Sequence, residues 1–182
     1  MTDPSCRSGS PTRVLFVCLG NICRSPLAEG VFIHLCREAS VESWFDVDSA
    51  GTGSWHVGDP PDPRALDIAS RQGIELHGTA RSVRPKDFLE FDLMLAMDQD
   101  NLRNLEKGRE RWDGSTRIAL LRDFDPESNG ELDVPDPYYG GPAGFDHVFD
   151  LVLRSCSSLL SDLQARKLRS RHGPPSPRSD DP

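Results

Sequence analysis

The sequence predicts an α/β domain in which a doubly wound, four-stranded parallel sheet carries helices on both faces. Three observations lead there. Short β-branched or aromatic runs alternate with segments of helical periodicity along most of the 182 residues. The connections between successive strand candidates run to about a dozen residues or more, which suits right-handed crossovers that pack back on the sheet. Finally, a content of 36% hydrophobic and 27% charged residues is that of one globular domain able to bury a core without disulfide staples.

The elements follow in order. Arg13-Val14-Leu15-Phe16-Val17 reads as a buried strand that ends abruptly at Cys18-Leu19-Gly20-Asn21. A helix comes next, with Ser25 expected as its N-cap, Pro26 at its first position, and Leu27, Ala28, Val31, Phe32 and Leu35 on one face. Trp44 to Ser49 is the second strand. A Gly/Pro-rich loop then leads through Asp62 to a helix over 63–72 that Gly73 closes. Phe91 to Met97 is the third strand, Asp98 caps a helix through Leu105, and Thr116 to Leu121 is the fourth strand. After a long polar loop, a last helix is expected from Gly144 to Arg166. In such a sheet, ligands gather beyond the carboxyl ends of the strands, where Cys18, Ser49 and the loop after Leu121 emerge.

Composition excludes several classes of function. A formal net charge of −8 repels nucleic acid, though it allows a local pocket for a small anion. No apolar run approaches the ~20 residues that cross a bilayer, so no membrane span is expected. Residues 1–12 are polar, with Pro4, Gly9 and Pro11, and lack an export signal; a disordered extension and a cytoplasmic location are expected. The tail from Lys167 to Pro182 has too little apolar content to order and is likewise expected to be disordered, leaving a domain over 13–166. Five cysteines in no metal-ligand pattern point to free thiols and to no metal or cofactor. A monomer is expected.

The segment Cys18-Leu19-Gly20-Asn21-Ile22-Cys23-Arg24-Ser25 joins a strand to a helix whose first N–H groups lack partners. Such a loop makes an anion cradle, favoured by inward-turned amides and by the helix dipole. Gly20 and Asn21 are the residues best able to adopt the positive φ that the curl requires. A lone cysteine at a strand end is usually a small buried hydrophobe. Here, however, Cys18 stands among donors and beside Arg24, which favours the thiolate and hence a nucleophile at neutral pH. Arg24 supplies a planar fork for two phosphate oxygens, and Ser25 can donate to the sulfur.

Val17 through Pro26 matches Val-Cys-x-Gly-Asn-x-Cys-Arg-Ser-Pro, the signature of the low-molecular-weight protein tyrosine phosphatases, and the chain resembles that family from about residue 12 to 165. The resemblance continues through Leu27-Ala28-Glu29, Asp48-Ser49-Ala50-Gly51-Thr52, Pro60-Pro61-Asp62, Met97-Asp98 and Asp136-Pro137-Tyr138-Tyr139-Gly140. It implies the flavodoxin-like fold of the phosphotyrosine protein phosphatase I type and hydrolysis of phosphotyrosine and aryl phosphates through a phosphocysteine at Cys18. It also implies that Asp136 acts as general acid and then general base, with phosphotyrosine-containing proteins as substrates. Asn21, Ser25, Ser49 and His77 resemble the family's hydrogen-bond network around the phosphate loop. Tyr138, Tyr139 and Trp55 suit the walls of a slot deep enough for an aryl phosphate. Cys23 is the implied redox partner of Cys18, able to form a reversible disulfide with it.

Two sister chemistries and one binding role compete. An arsenate reductase of this fold needs further cysteines near mid-chain, and none lies between Cys36 and Cys156. The related arginine phosphatases resemble this chain except for a threonine where Ile22 stands, so Ile22 favours tyrosine. A phosphopeptide-binding module without catalysis is disfavoured by the intact Cys18, Arg24 and Asp136.

Overall fold

A computed structural model describes residues 10–172 of the chain. Its elements are β1 (Thr12–Cys18), α1 (Arg24–Glu38), β2 (Phe45–Gly51), α2 (Pro63–Arg71), the one-turn α3 (Asp87–Glu90), β3 (Leu93–Ala96), α4 (Gln99–Arg111), β4 (Arg117–Leu120) and α5 (Pro142–His172). All strands are parallel, in the order β2-β1-β3-β4. The expected doubly wound sheet is therefore present. Because β1 lies between β2 and β3, the chain reverses its direction of winding beside β1, and the crevice at that reversal opens at Cys18.

Alternation along the strands divides the core. Val14 and Phe16 of β1 join Leu93 and Leu95 of β3 on the face covered by α1, α2 and α5, where Phe32, Phe145 and Leu159 are buried. Leu15, Val17, Met94 and Ala96 point to the opposite face and meet Leu105 of α4 and Phe88 of α3. β1 is buried throughout from Val14 to Cys18, as a strand covered on both sides must be. Each fully buried ring such as Phe16 contributes roughly 2–3 kcal/mol relative to exposure.

Several boundaries differ from expectation. Helix α1 starts at Arg24, with Cys23 at the cap position and no side-chain cap, so Ser25 lies inside the first turn and is not the N-cap. Its hydroxyl is free for another partner. Trp44 belongs to a 3-10 turn (Glu42–Trp44) ahead of β2, and Leu121 opens another 3-10 turn (Leu121–Phe124) after β4. Helix α4 runs past Leu105 to Arg111 on a polar, exposed face without apolar periodicity to announce it; Gly108 sits where a Cβ would lie 2.4 Å from the Phe88 ring.

Residues 167–172, expected in a disordered tail, are helical, because α5 continues to His172. The reason is visible at its last turns. Lys167 donates to the carbonyls of Trp44 at 2.9 Å and Ser10 at 3.1 Å, tying the helix end to the entrances of β1 and β2. The extension expected over residues 1–12 ends earlier, because Thr12 already pairs in β1; its residues 1–9, Cys6 among them, and the chain beyond residue 172 lie outside the described residues. Among the described residues no helix is long and apolar enough to cross a membrane.

Candidate active site

Cys18 is the last residue of β1, and the segment 19–23 turns directly into α1. The loop's carbonyls are held outward. Thr52 donates its N–H to the Cys18 carbonyl at 2.9 Å, Gly53 to that of Leu19 at 2.9 Å, and Asp62 to that of Ile22 at 2.7 Å. With those oxygens engaged from behind, the Asn21 N–H turns to the sulfur and lies 3.2 Å from Cys18 Sγ. Asn21 has φ +56°, the left-handed conformation that the sharp curl demands. Gly51, at the end of β2, allows the close approach: a Cβ there would stand 2.8 Å from the Leu19 carbonyl oxygen.

The Asn21 side chain orients the loop. Its Oδ1 accepts the Arg81 backbone N–H at 2.9 Å, which fixes the amide so that Nδ2 donates to both Ser25 Oγ and Ser49 Oγ, each at 2.9 Å. Both hydroxyls therefore aim their hydrogens elsewhere. Ser49 donates to Glu29 at 2.6 Å, and Ser25 stands 3.1 Å from Cys18 Sγ, placed to donate to it. Burial pushes the Glu29 carboxyl up to about 7, with the Ser49 bond opposing that rise.

His77 is not part of this network. Its side chain is 70% exposed and faces Glu75 at 3.5 Å; at the place where a third partner of Asn21 is needed, the fold supplies the Arg81 backbone amide. The loop at Gly78, with φ +82°, carries the preceding histidine outward to solvent.

Arg24 opens α1 with its guanidinium buried between two carboxylates. It donates to Asp98 at 2.6 Å, to Asp136 at 3.0 Å and to the Val134 carbonyl at 3.0 Å. Desolvation works against its charge, yet the adjoining Cys18, Asp136 and Asp98 raise its pKa above the ordinary arginine value. Asp98 also caps α4 by accepting from the Asn101 N–H at 2.8 Å. Asp136 arrives on the loop that follows β4, which is pinned to the sheet where Val134 donates to the Met97 carbonyl at 2.7 Å. Its second oxygen accepts the Tyr138 N–H at 3.0 Å, closing a tight turn.

Cys23 is pushed up to about 12, first by burial and then by the negative groups Asp62, Cys18 and Asp136. Its side chain is hydrogen-bonded to Asp62, whereas Cys18 meets the Asn21 N–H and the Ser25 hydroxyl. Cys36 is likewise raised to about 12 by burial, and Cys156, wholly buried, is raised further. All four are free thiols.

Around the loop stands an apolar and aromatic rim. Leu19 and Trp55 are exposed, Trp55 lying against Gly53, while Tyr138 is partly exposed and packs edge-on against Tyr139 at 5.0 Å. His56, absent from the residues expected by sequence, fills the space between the two loops: its ring is 6.1 Å from that of Tyr138 and close to Gly20. The structure thus gathers Cys18, Asn21, Arg24, Ser25, Ser49 and Asp136 at one place and leaves His77 apart. It adds Glu29, Arg81 and Asp98, whose contacts join residues 20 or more positions apart. Glu29 and Asp98 fall within motifs that carry the family resemblance; nothing local marks Arg81.

Chemically, a sulfur that accepts an inward amide, a buried guanidinium and a carboxyl group stand together at one mouth, an arrangement able to meet a small anion. Comparisons with known proteins show the family. A family model described as low molecular weight phosphotyrosine protein phosphatase matches residues 13–169. The low molecular weight phosphotyrosine protein phosphatase of Gallus gallus is 42% identical over 154 residues, spanning 84% of this chain and 96% of that protein. A protein tyrosine phosphatase from Entamoeba histolytica, crystallised with Hepes in its active site, superposes with a TM-score of 0.80 at 37% identity, covering 86% of this chain and 99% of the other. DARP, a Drosophila arginine phosphatase, superposes with a TM-score of 0.79 at 32% identity over 92% of this chain and 99% of its own.

Proposed function

The chain belongs to the low molecular weight phosphotyrosine protein phosphatase family and is a protein-tyrosine phosphatase; from that premise we propose that it works through a phosphocysteine at Cys18, with Asp136 moving the protons. The thiolate attacks phosphorus, the bond from phosphorus to the phenolic oxygen breaks, and Asp136 gives its proton to the departing tyrosyl oxygen. Water then attacks the same phosphorus, Asp136 takes a proton from it, and the phosphorus–sulfur bond breaks to release inorganic phosphate.

Each remaining residue has a place in this scheme. Arg24 and the amides of the loop bind the phosphoryl oxygens and stabilise the charge that spreads over them in the transition state. The Ser25 hydroxyl donates to the sulfur when it leaves, and Asn21 with Ser49 holds the loop in its left-handed turn. Leu19, Gly20, Ile22 and Cys23 contribute backbone, Trp55, Tyr138 and Tyr139 line the substrate's path, and Cys23 is the thiol within reach of an oxidised Cys18. The single observation that carries the scheme is Arg24, whose guanidinium joins the start of the phosphate loop's helix to Asp136 at 3.0 Å.

The experiment is hydrolysis of aryl phosphates by the wild type, Cys18→Ser and Asp136→Ala. Loss of all turnover in the first, and in the second a slowing concentrated on poor leaving groups with phosphate inhibition retained, is the expected result. Full activity of Cys18→Ser would remove the scheme. The Drosophila neighbour's arginine activity sets a second substrate beside the first, and Ile22, buried at 8% exposure within the loop, together with the aromatic rim favours tyrosine. Faster release of phosphate from phosphoarginine peptides than from phosphotyrosine peptides would reverse that preference.

A further inference from the structure

Arg64, on the first turn of α2, connects the two halves of the site through contacts that neither half makes alone. Its Nε and Nη2 clasp both oxygens of the Asp62 carboxylate, at 3.0 and 2.9 Å. Asp62 is the N-cap of α2, and its own N–H holds the Ile22 carbonyl of the phosphate loop at 2.7 Å. From the other end of the same guanidinium, Nη1 donates to the Gly140 carbonyl at 3.1 Å, four residues beyond Asp136. The flat face of the group lies 4.7 Å from the centre of the Phe145 ring, at the base of α5, and 5.8 Å from that of Tyr138. One planar cation thus spans the phosphate loop, the turn that carries the acid and the helix that follows it.

The segment it grips needs such a grip. Asp136 is followed by a buried Pro137 and then by Tyr138-Tyr139-Gly140-Gly141, an exposed stretch in which Tyr139 is 96% exposed. Its internal ties are few: a turn bond from the Gly140 N–H to the Pro137 carbonyl and the Tyr138 N–H to Asp136. A lysine could offer one point of attachment, but only a guanidinium can chelate a carboxylate, donate at a third point and stack on rings at the same time.

We propose that Arg64 is a positioning residue for the reaction: by tying Gly140 and Tyr138 to the Asp62 anchor of the phosphate loop, it sets the height of Asp136 over the leaving oxygen. This rests on the reading of Asp136 as the proton donor. A misplaced donor harms the reaction in proportion to how badly the departing oxygen needs its proton, so the effect is selective by leaving group and not a uniform loss.

The test compares kcat/KM for phenyl phosphate, a poor leaving group, and p-nitrophenyl phosphate, a good one, with inhibition by inorganic phosphate as the measure of the cradle. For Arg64→Ala the expected result is a fall of about tenfold or more with phenyl phosphate, less than about threefold with p-nitrophenyl phosphate, and an unchanged phosphate inhibition constant. Arg64→Lys, which keeps the charge and most of the packing, is expected to retain a selective loss of about threefold or more on phenyl phosphate. An equal loss on both substrates, a change confined to phosphate inhibition, or a lysine variant indistinguishable from wild type would overturn the proposal. Asp136→Asn run in parallel separates the two readings: if it shows no leaving-group selectivity, the role of Asp136 has failed, whereas selectivity in Asp136→Asn without it in either Arg64 variant defeats the role of Arg64 alone.

Discussion

Ser49 donates its hydroxyl hydrogen to the buried carboxylate of Glu29 across 2.6 Å, and through Asn21 that bond belongs to the same chain of donors that ends on the Cys18 sulfur. Glu29 is consequently both an anchor for the loop and a poorly solvated charge.

The charge has a pH signature. Burial lifts the Glu29 carboxyl from 4.5 to about 7, with Asp48 adding to the rise and the Ser49 bond and Arg81 opposing it. The native state therefore holds a proton that the unfolded chain releases: the cost is absent below about pH 4.5, grows as pH rises and is complete above about pH 7. Glu29→Gln keeps an acceptor for Ser49 and removes the titration. Urea unfolding should show the variant gaining on the wild type between pH 5 and pH 8, by roughly 1–3 kcal/mol.

Gly51→Ala inserts a methyl group 2.8 Å from the Leu19 carbonyl oxygen, a contact that backbone must yield to relieve. The expected outcome is a loss of about 1–3 kcal/mol in stability and at least about a tenfold loss in kcat/KM, since the displaced segment is the phosphate loop itself. Thermal melting alongside aryl phosphate kinetics measures both. A variant that melts early but turns over normally would show that the approach matters for packing alone.

The cysteines should react unequally. At neutral pH, iodoacetate is expected to carboxymethylate Cys18 before the other described thiols, because Cys23 and Cys36 are held as neutral thiols with values near 12. Inorganic phosphate should protect. Peptide mass mapping of partly inactivated protein checks this, and first modification at Cys23 would contradict the assignment of the nucleophile.

Arg24→Lys preserves charge but not the fork that meets Asp98 and Asp136 together. A drop in kcat/KM of about a hundredfold or more is expected, since a single ammonium cannot track two phosphoryl oxygens through the transition state. Binding of inorganic phosphate, read by competitive inhibition, should weaken in the same variant.

The sheet and the loop are legible in the sequence because their signals are local. An apolar run ending at Cys18, a residue tolerant of positive φ at Asn21 and Asp98 ahead of a helical pattern each describe their own neighbourhood, and the fold honours them. What escapes is long-range. Asp98 also meets Arg24, 74 positions away, and Asn21 takes the backbone N–H of Arg81, 60 positions away, while His77, expected in the same network, faces solvent. A backbone donor carries no side-chain identity, so no residue type could have announced it. The end of α5 fails for a related reason: the composition after Arg166 is that of a tail, whereas what Lys167 holds, the carbonyls of Ser10 and Trp44 and the face of Phe45, is distant in the chain.

The outward carbonyls of Cys18, Leu19 and Ile22 bear on the order of assembly. Their partners, Thr52, Gly53 and Asp62, all follow β2 in the chain. A nascent chain can therefore complete β1 and α1 while these carbonyls still want partners, and the loop is braced only once the second strand has docked and the next turn has closed behind it. Slow hydrogen exchange at the amides of Thr52 and Gly53 would mark the moment at which that bracing is complete.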